Sequence, residues 1–214
     1  MKTKHIYLFL SLFTIIFFAC GPETNEEKIN DLIEDGNNSK NKNIYTDALE
    51  FNNAIIGLQA KIGVEILKIG ECQDSEELKD LVSGSMKETS EFAVETLEDI
   101  EFSGDDKGFK DAALNLFRFY NETLCGIYLE LAEIIKKSEE DNLSSSELES
   151  LGERYADLTY EISEKEKPLD LRLQKTQSDF AKANGFYVDA DLNPLVEKFK
   201  EEVDGYEEYI EENY

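Results

Sequence analysis

Apolar residues return at steps of three and four through four long stretches of this chain, and that spacing constrains the fold more than any other feature. Ala48, Phe51, Ile55, Leu58, Ile62, Ile66 and Ile69 form the first stripe, which ends near Gly70. Asp74 with Glu77 three residues on makes an acidic cap for the second stripe, Leu78, Val82, Met86, Phe92, Val94, Leu97 and Ile100, before the break at Ser103-Gly104. The third, the most regular, runs through Phe109, Ala113, Leu116, Tyr120, Leu124, Ile127, Leu131 and Ile134. Ser144 to Glu147 give start signals for a fourth, with Leu148, Leu151, Tyr155, Leu158 and Ile162 inward. Pro168 predicts a kink or short break near Lys165 to Lys167, after which Leu169, Leu173 and Phe180 resume the pattern to a C-cap at Asn184-Gly185. Alternating apolar and polar runs are nearly absent. The expectation is an all-α fold: an up-down-up-down four-helix bundle over residues 44–185, roughly 40 Å long. Asn193 and Pro194 then open an additional helix in an acidic C-terminal segment, residues 186–214.

The amino terminus carries an address. Lys2 and Lys4 precede an apolar run from Ile6 to Ala19, 14 residues that suit a signal-peptide core and fall short of a membrane span of about 20. Phe18-Ala19-Cys20-Gly21 resembles a bacterial lipobox, with Phe17 in place of the usual Leu. That resemblance implies a signal peptide over residues 1–19 and a diacylated Cys20 as the new first residue, held in the membrane by its acyl chains. Residues 20–43 are polar and rich in Asn and Glu, and read as a flexible acidic tether.

Composition excludes several classes of activity. Loss of the signal removes Lys2, Lys4 and His5, taking the formal charge from −26 to −28 and leaving no histidine. Imidazole-based catalysis and zinc or di-iron sites that need histidine are excluded, and nucleic acid is a poor partner for so acidic a chain. No cofactor is expected. Asp189-Ala190-Asp191-Leu192-Asn193 begins like a calcium loop, but Pro194 stands where Gly is needed and Lys200 where Glu is needed, so no metal site is expected. No nucleophile elbow is present, and an enzyme is not expected.

Among polar residues on the apolar stripes, Asn52 and Gln59 lie seven apart on the first helix. They read as a hydrogen-bonded layer that fixes helix register, with the wall of a small polar pocket as the alternative. Cys72 and Cys125 form an even pair that either bridges or stays as two packed thiols; their heights on the first and third helices argue against a match. Tyr206, Tyr209 and Tyr214 are interleaved with eight acids between Glu197 and Glu212, giving either a docked helix or a contact surface for a basic partner.

The run Ala48-Leu49-Glu50-Phe51-Asn52-Asn53-Ala54-Ile55-Ile56-Gly57-Leu58-Gln59 resembles the first helix of a poorly characterised group of bacterial helical surface lipoproteins, and Gln177 to Phe186 is similar to that group's closing helix. The resemblance implies a helical bundle on the cell envelope and carries over no catalytic residue. The resulting expectation is a non-enzymatic interaction module, lipid-anchored in the outer membrane and displayed at the surface, binding an extracellular or envelope protein or glycan. The alternative is a periplasm-facing carrier that holds a small ligand or cations in the bundle core.

Overall fold

A computed structural model describes residues 25–39, 43–140 and 142–188. The signal segment, Cys20, the calcium-like run from Asp189, the helix expected from Asn193, and Tyr206, Tyr209 and Tyr214 lie outside them.

The described residues are mostly helical. Helix α1 spans Asn25–Asn38 and α2 spans Ala48–Ile69. The second rod is α3 (Ser75–Leu81), a π-helical turn at Val82–Met86, and α4 (Lys87–Asp99). The third is α5 (Phe109–Arg118), a π-helical turn at Phe119–Leu124, and α6 (Cys125–Ser138). Helix α7 runs from Ser145 to Ala183. Contacts of α3 with α6 and of α4 with α5 set the second and third rods antiparallel, and α7 packs along α5 and α6. Their facing stripes form one core in which Phe51, Ile55, Leu97, Phe109, Tyr120 and Phe180 are among the fully buried side chains.

The ends follow local chemistry. Asp47 accepts from the amides of Leu49 and Glu50, and Asp74 from those of Glu76 and Glu77, so each satisfies amides that have no partner inside the helix. Ser144 and Glu147 form a reciprocal capping box at the start of α7. At its end Gly185 takes φ of 77°, and the Phe186 amide returns to the Ala181 carbonyl at 3.1 Å. Pro168 does not break α7, which is continuous across it, while its missing N–H leaves one rung of the helix ladder open.

Two features depart from expectation. First, residues Asn25–Asn38 form a helix packed on α2, where composition indicated a flexible tether over 20–43. The sequence spacing of Ile29, Leu32, Ile33 and Gly36 is helical, and Gly36 is a point of close approach to α2. A Cβ at Gly36 would stand 2.7 Å from the Gly57 carbonyl carbon and 2.9 Å from the Leu58 nitrogen, so the two backbones meet at a distance only glycine permits. Lys61 Nζ donates to Asn37 Oδ1 at 2.7 Å beside this contact. Gly36→Ala is therefore expected to push α1 off α2 at a cost of about 1–3 kcal/mol, more than the roughly 1 kcal/mol gained in helix propensity. Faster amide exchange across α1 with a lower melting temperature would show this; equal or higher stability would contradict it.

Second, two short strands, β1 (Ile44–Tyr45) and β2 (Glu101–Phe102), pair in parallel where no strand was expected. Glu101 N donates to the Asn43 carbonyl and Ser103 N to the Tyr45 carbonyl, both at 2.8 Å, so the pairing satisfies the backbones of two adjoining loops. Cys72 and Cys125 are both free thiols, the alternative that their unmatched heights favour. Cys72 lines a small end cavity with Ile69, Leu78, Tyr128, Leu131 and Ile135, level with α6 residues beyond Cys125. Burial pushes both thiols above their ordinary pKa.

Candidate functional site

The inward face of α7 is set by its spacing. Leu158 and Ile162 begin it, and four-residue steps from Ile162 reach Glu166 and then Asp170. Leu173, Gln177 and Phe180 complete the buried face. Glu166 is 7% exposed and Asp170 2%. These two carboxyls, one helical turn apart, lie in the bundle core on either side of Pro168.

Their partners are few. The Tyr120 hydroxyl, carried on the π-helical turn Phe119–Leu124, donates to Glu166 Oε1 at 2.9 Å. The Gln174 amide donates to Asp170 Oδ2 at 2.8 Å. Glu166 Oε2 is buried with no hydrogen-bond partner, a distinction it shares among the described residues with Thr96 Oγ1. Glu65, another buried acid, shows the contrast: Lys68 reaches its Oε1 at 2.7 Å and Ser85 donates to its Oε2 at 2.6 Å.

The setting favours the neutral acids. Burial is the main cause that raises Glu166 to about 7; the charge of Asp170 adds to it and the Tyr120 hydrogen bond works against it. Burial likewise lifts Asp170 to about 7, opposed by the Gln174 hydrogen bond. Tyr120 and Tyr128 are pushed well above the ordinary phenol range, by burial first and then by the Glu166 charge. The site is thus a pair of buried acids held toward the neutral form, with two phenols beside it. Among the described residues no group of three or more acid, cysteine or histidine side chains could hold a metal ion.

Sequence reasoning passed over Glu166, Asp170 and Tyr120 as functional groups. The available signal was the stripe itself, since continuing from Leu158 and Ile162 lands on acids instead of aliphatics.

Asn52 and Gln59 are both buried, at 6% and 5% exposure. The Gln177 amide of α7 donates to Asn52 Oδ1 at 2.9 Å, closing a polar tie between α2 and α7. Asn52 Nδ2 also reaches Asn53 Oδ1 at 3.3 Å. The tie joins Asn52 to a residue that the spacing on α2 alone could not supply, and Gln59, though buried, is not one of its members. Next to it Phe180 stacks on Phe109 at 5.6 Å and meets Phe51 at 5.8 Å, Phe102 at 5.2 Å and Phe186 at 5.8 Å.

Outside the core, an open groove runs between the third rod and α7, lined by Arg118, Phe119, Glu122, Lys165, Pro168 and Leu169. Its cations are engaged: Arg118 pairs with Glu98 and Lys165 with Glu161, both at 2.6 Å. Comparison with known proteins found no matching family model, no matching curated protein and no matching solved structure.

Proposed function

We propose that this chain is a lipid-anchored lipoprotein of the bacterial cell envelope that presents a helical bundle at the surface as a non-enzymatic interaction module. The observation that carries the reading is the amino-terminal run of two lysines, a 14-residue apolar core and Ala19-Cys20-Gly21. Among the described residues no helix is long and apolar enough to cross a membrane, so on this reading the lipid on Cys20 supplies the attachment. The domain is an up-down-up-down bundle of four rods, a reading supported by the antiparallel contacts of the second rod with the third and by the short connections between rods. Presentation is its mechanism: the anchor fixes one end and the exposed helix faces meet a protein or glycan partner. Leu148, Tyr160 and Leu171, exposed along α7, are available apolar contacts. The tie between Asn52 and Gln177 supports this reading over a carrier with a ligand held beside Asn52.

The test is mass spectrometry of the amino terminus combined with protease shaving of intact cells expressing the full chain. A diacylated Cys20, with the bundle lost while periplasmic controls survive, is the expected result. Lipid with full protection would move the protein to the periplasmic face, and an unmodified Cys20 would overturn the anchor itself.

A further inference from the structure

We propose that Glu166 and Asp170 form a proton-operated latch that holds the middle of α7 against the π-helical turn bearing Tyr120, and that loss of the proton opens α7 around Pro168. The proposal is independent of the lipid anchor and concerns regulation of the folded domain.

Four structural observations converge on it. The two acids share the buried face of α7 one turn apart, so ionising both would place two like charges in the core. Among the described residues their polar partners are one phenol and one amide, and Glu166 Oε2 has none. No compensating cation among the described residues acts on the pair. Tyr120 faces it from the π-helical turn and Tyr128 from α6, while α2 approaches this face of α7 through the uncharged Asn52. Arg118 and Lys165, across the outer groove, are exposed and paired with Glu98 and Glu161. Finally, the backbone beside the pair departs from a complete α-helical ladder on both sides: Pro168 lacks an N–H on α7, and the Phe119–Leu124 segment is π-helical.

The consequence follows from solvation. A protonated pair is compatible with the core, whereas an ionised pair needs water or a cation. Water enters at least cost where a helix rung is already open, at the Pro168 turn that borders the outer groove. The sequence leaves this role to carboxyls, because the one histidine of the chain, His5, lies in the signal-like segment. The raised pKa values of both groups fix the sign. An acid whose folded pKa lies above its unfolded value stabilises the fold fully below the unfolded pKa, near 4 for both acids, and that contribution is lost as pH rises through the folded value of about 7.

The test is hydrogen exchange of the full chain at pH 6.0 and pH 8.5, read by mass spectrometry and corrected for intrinsic rates. Ordinary carboxylates are already ionised across this window, so general acidic repulsion is nearly constant within it. Protection of amides around Pro168 on α7 is expected to fall about tenfold or more in the wild type, which corresponds to about one unit of proton linkage. The double variant Glu166→Gln, Asp170→Asn is expected to show no such fall. Equal protection at both pH values in the wild type would overturn the latch, as would an undiminished fall in the variant. Should the variant fail to fold, carbon-detected titration of the wild-type carboxyls decides: Glu166 and Asp170 titrating near neutrality supports the latch, and titration near 4 for both overturns it.

Discussion

Phe180→Ala is expected to cost about 3–5 kcal/mol, the largest loss of any single truncation considered for this fold. Phe180 is fully buried near the end of α7, and its ring contacts Phe51 of α2, Phe102 of β2, Phe109 of α5 and Phe186 beyond the helix. One side chain therefore joins the last helix to the first long one, to the short strand and to the third rod. Its removal empties a volume that four other aromatic rings cannot refill without leaving their own contacts. Urea unfolding of the full chain should show a much lower midpoint with an unchanged slope, and Phe180→Leu should retain part of the loss. A change below about 1 kcal/mol would mean the ring cluster is not packed as described.

The second large effect is electrostatic and depends on pH. Tyr120→Phe keeps the ring in place but removes the one donor to Glu166 among the described residues, which leaves neither oxygen of that buried carboxyl a partner there. At pH 8, where the acid is mostly ionised, stability should fall by about 1–3 kcal/mol, toward the upper end because the stranded group is charged. At pH 5.5 the penalty should be smaller, since the protonated acid had less use for a donor. The phenol favours the ionised form and so lowers the Glu166 pKa; without it that pKa should move further above about 7. Parallel urea curves at the two pH values check this. A cost independent of pH would show that Tyr120 acts only as packing.

Much of the architecture was legible because one physical rule, a buried stripe at helical spacing, governs nearly every element. The caps at Asp74 and Ser144 and the stop at Asn184-Gly185 were read from side chains that complete backbone hydrogen bonds locally, which requires no tertiary knowledge. The buried acid pair was not recovered. Glu166 and Asp170 keep the period of Leu158 and Ile162, but charged residues are ordinarily solvated, and only the packing of Tyr120 and Tyr128 around them reveals otherwise. Helix α1 was missed for a related reason, since a polar composition hid a close backbone approach at Gly36. The π-helical turns at Val82–Met86 and Phe119–Leu124 leave the apolar spacing almost unchanged and have no distinct signal in sequence. Gln177 as the partner of Asn52 was equally hidden, because 125 residues separate them.

The docking of α1 on α2 changes the mechanics of attachment. A free segment over residues 21–43 would be a leash with a root-mean-square span of roughly 25 Å. Because α1 starts at Asn25, a lipid on Cys20 would be separated from folded structure by four intervening residues, a reach of at most about 18 Å. The protein would then stand moored at the bilayer instead of roaming above it, and one pole of a strongly acidic body would be held within a Debye length or two of the headgroups. Anionic lipid would tilt such a body away from the surface and zwitterionic lipid would let it lean. Which flank faces outward would thus depend on the membrane beneath it as well as on the protein.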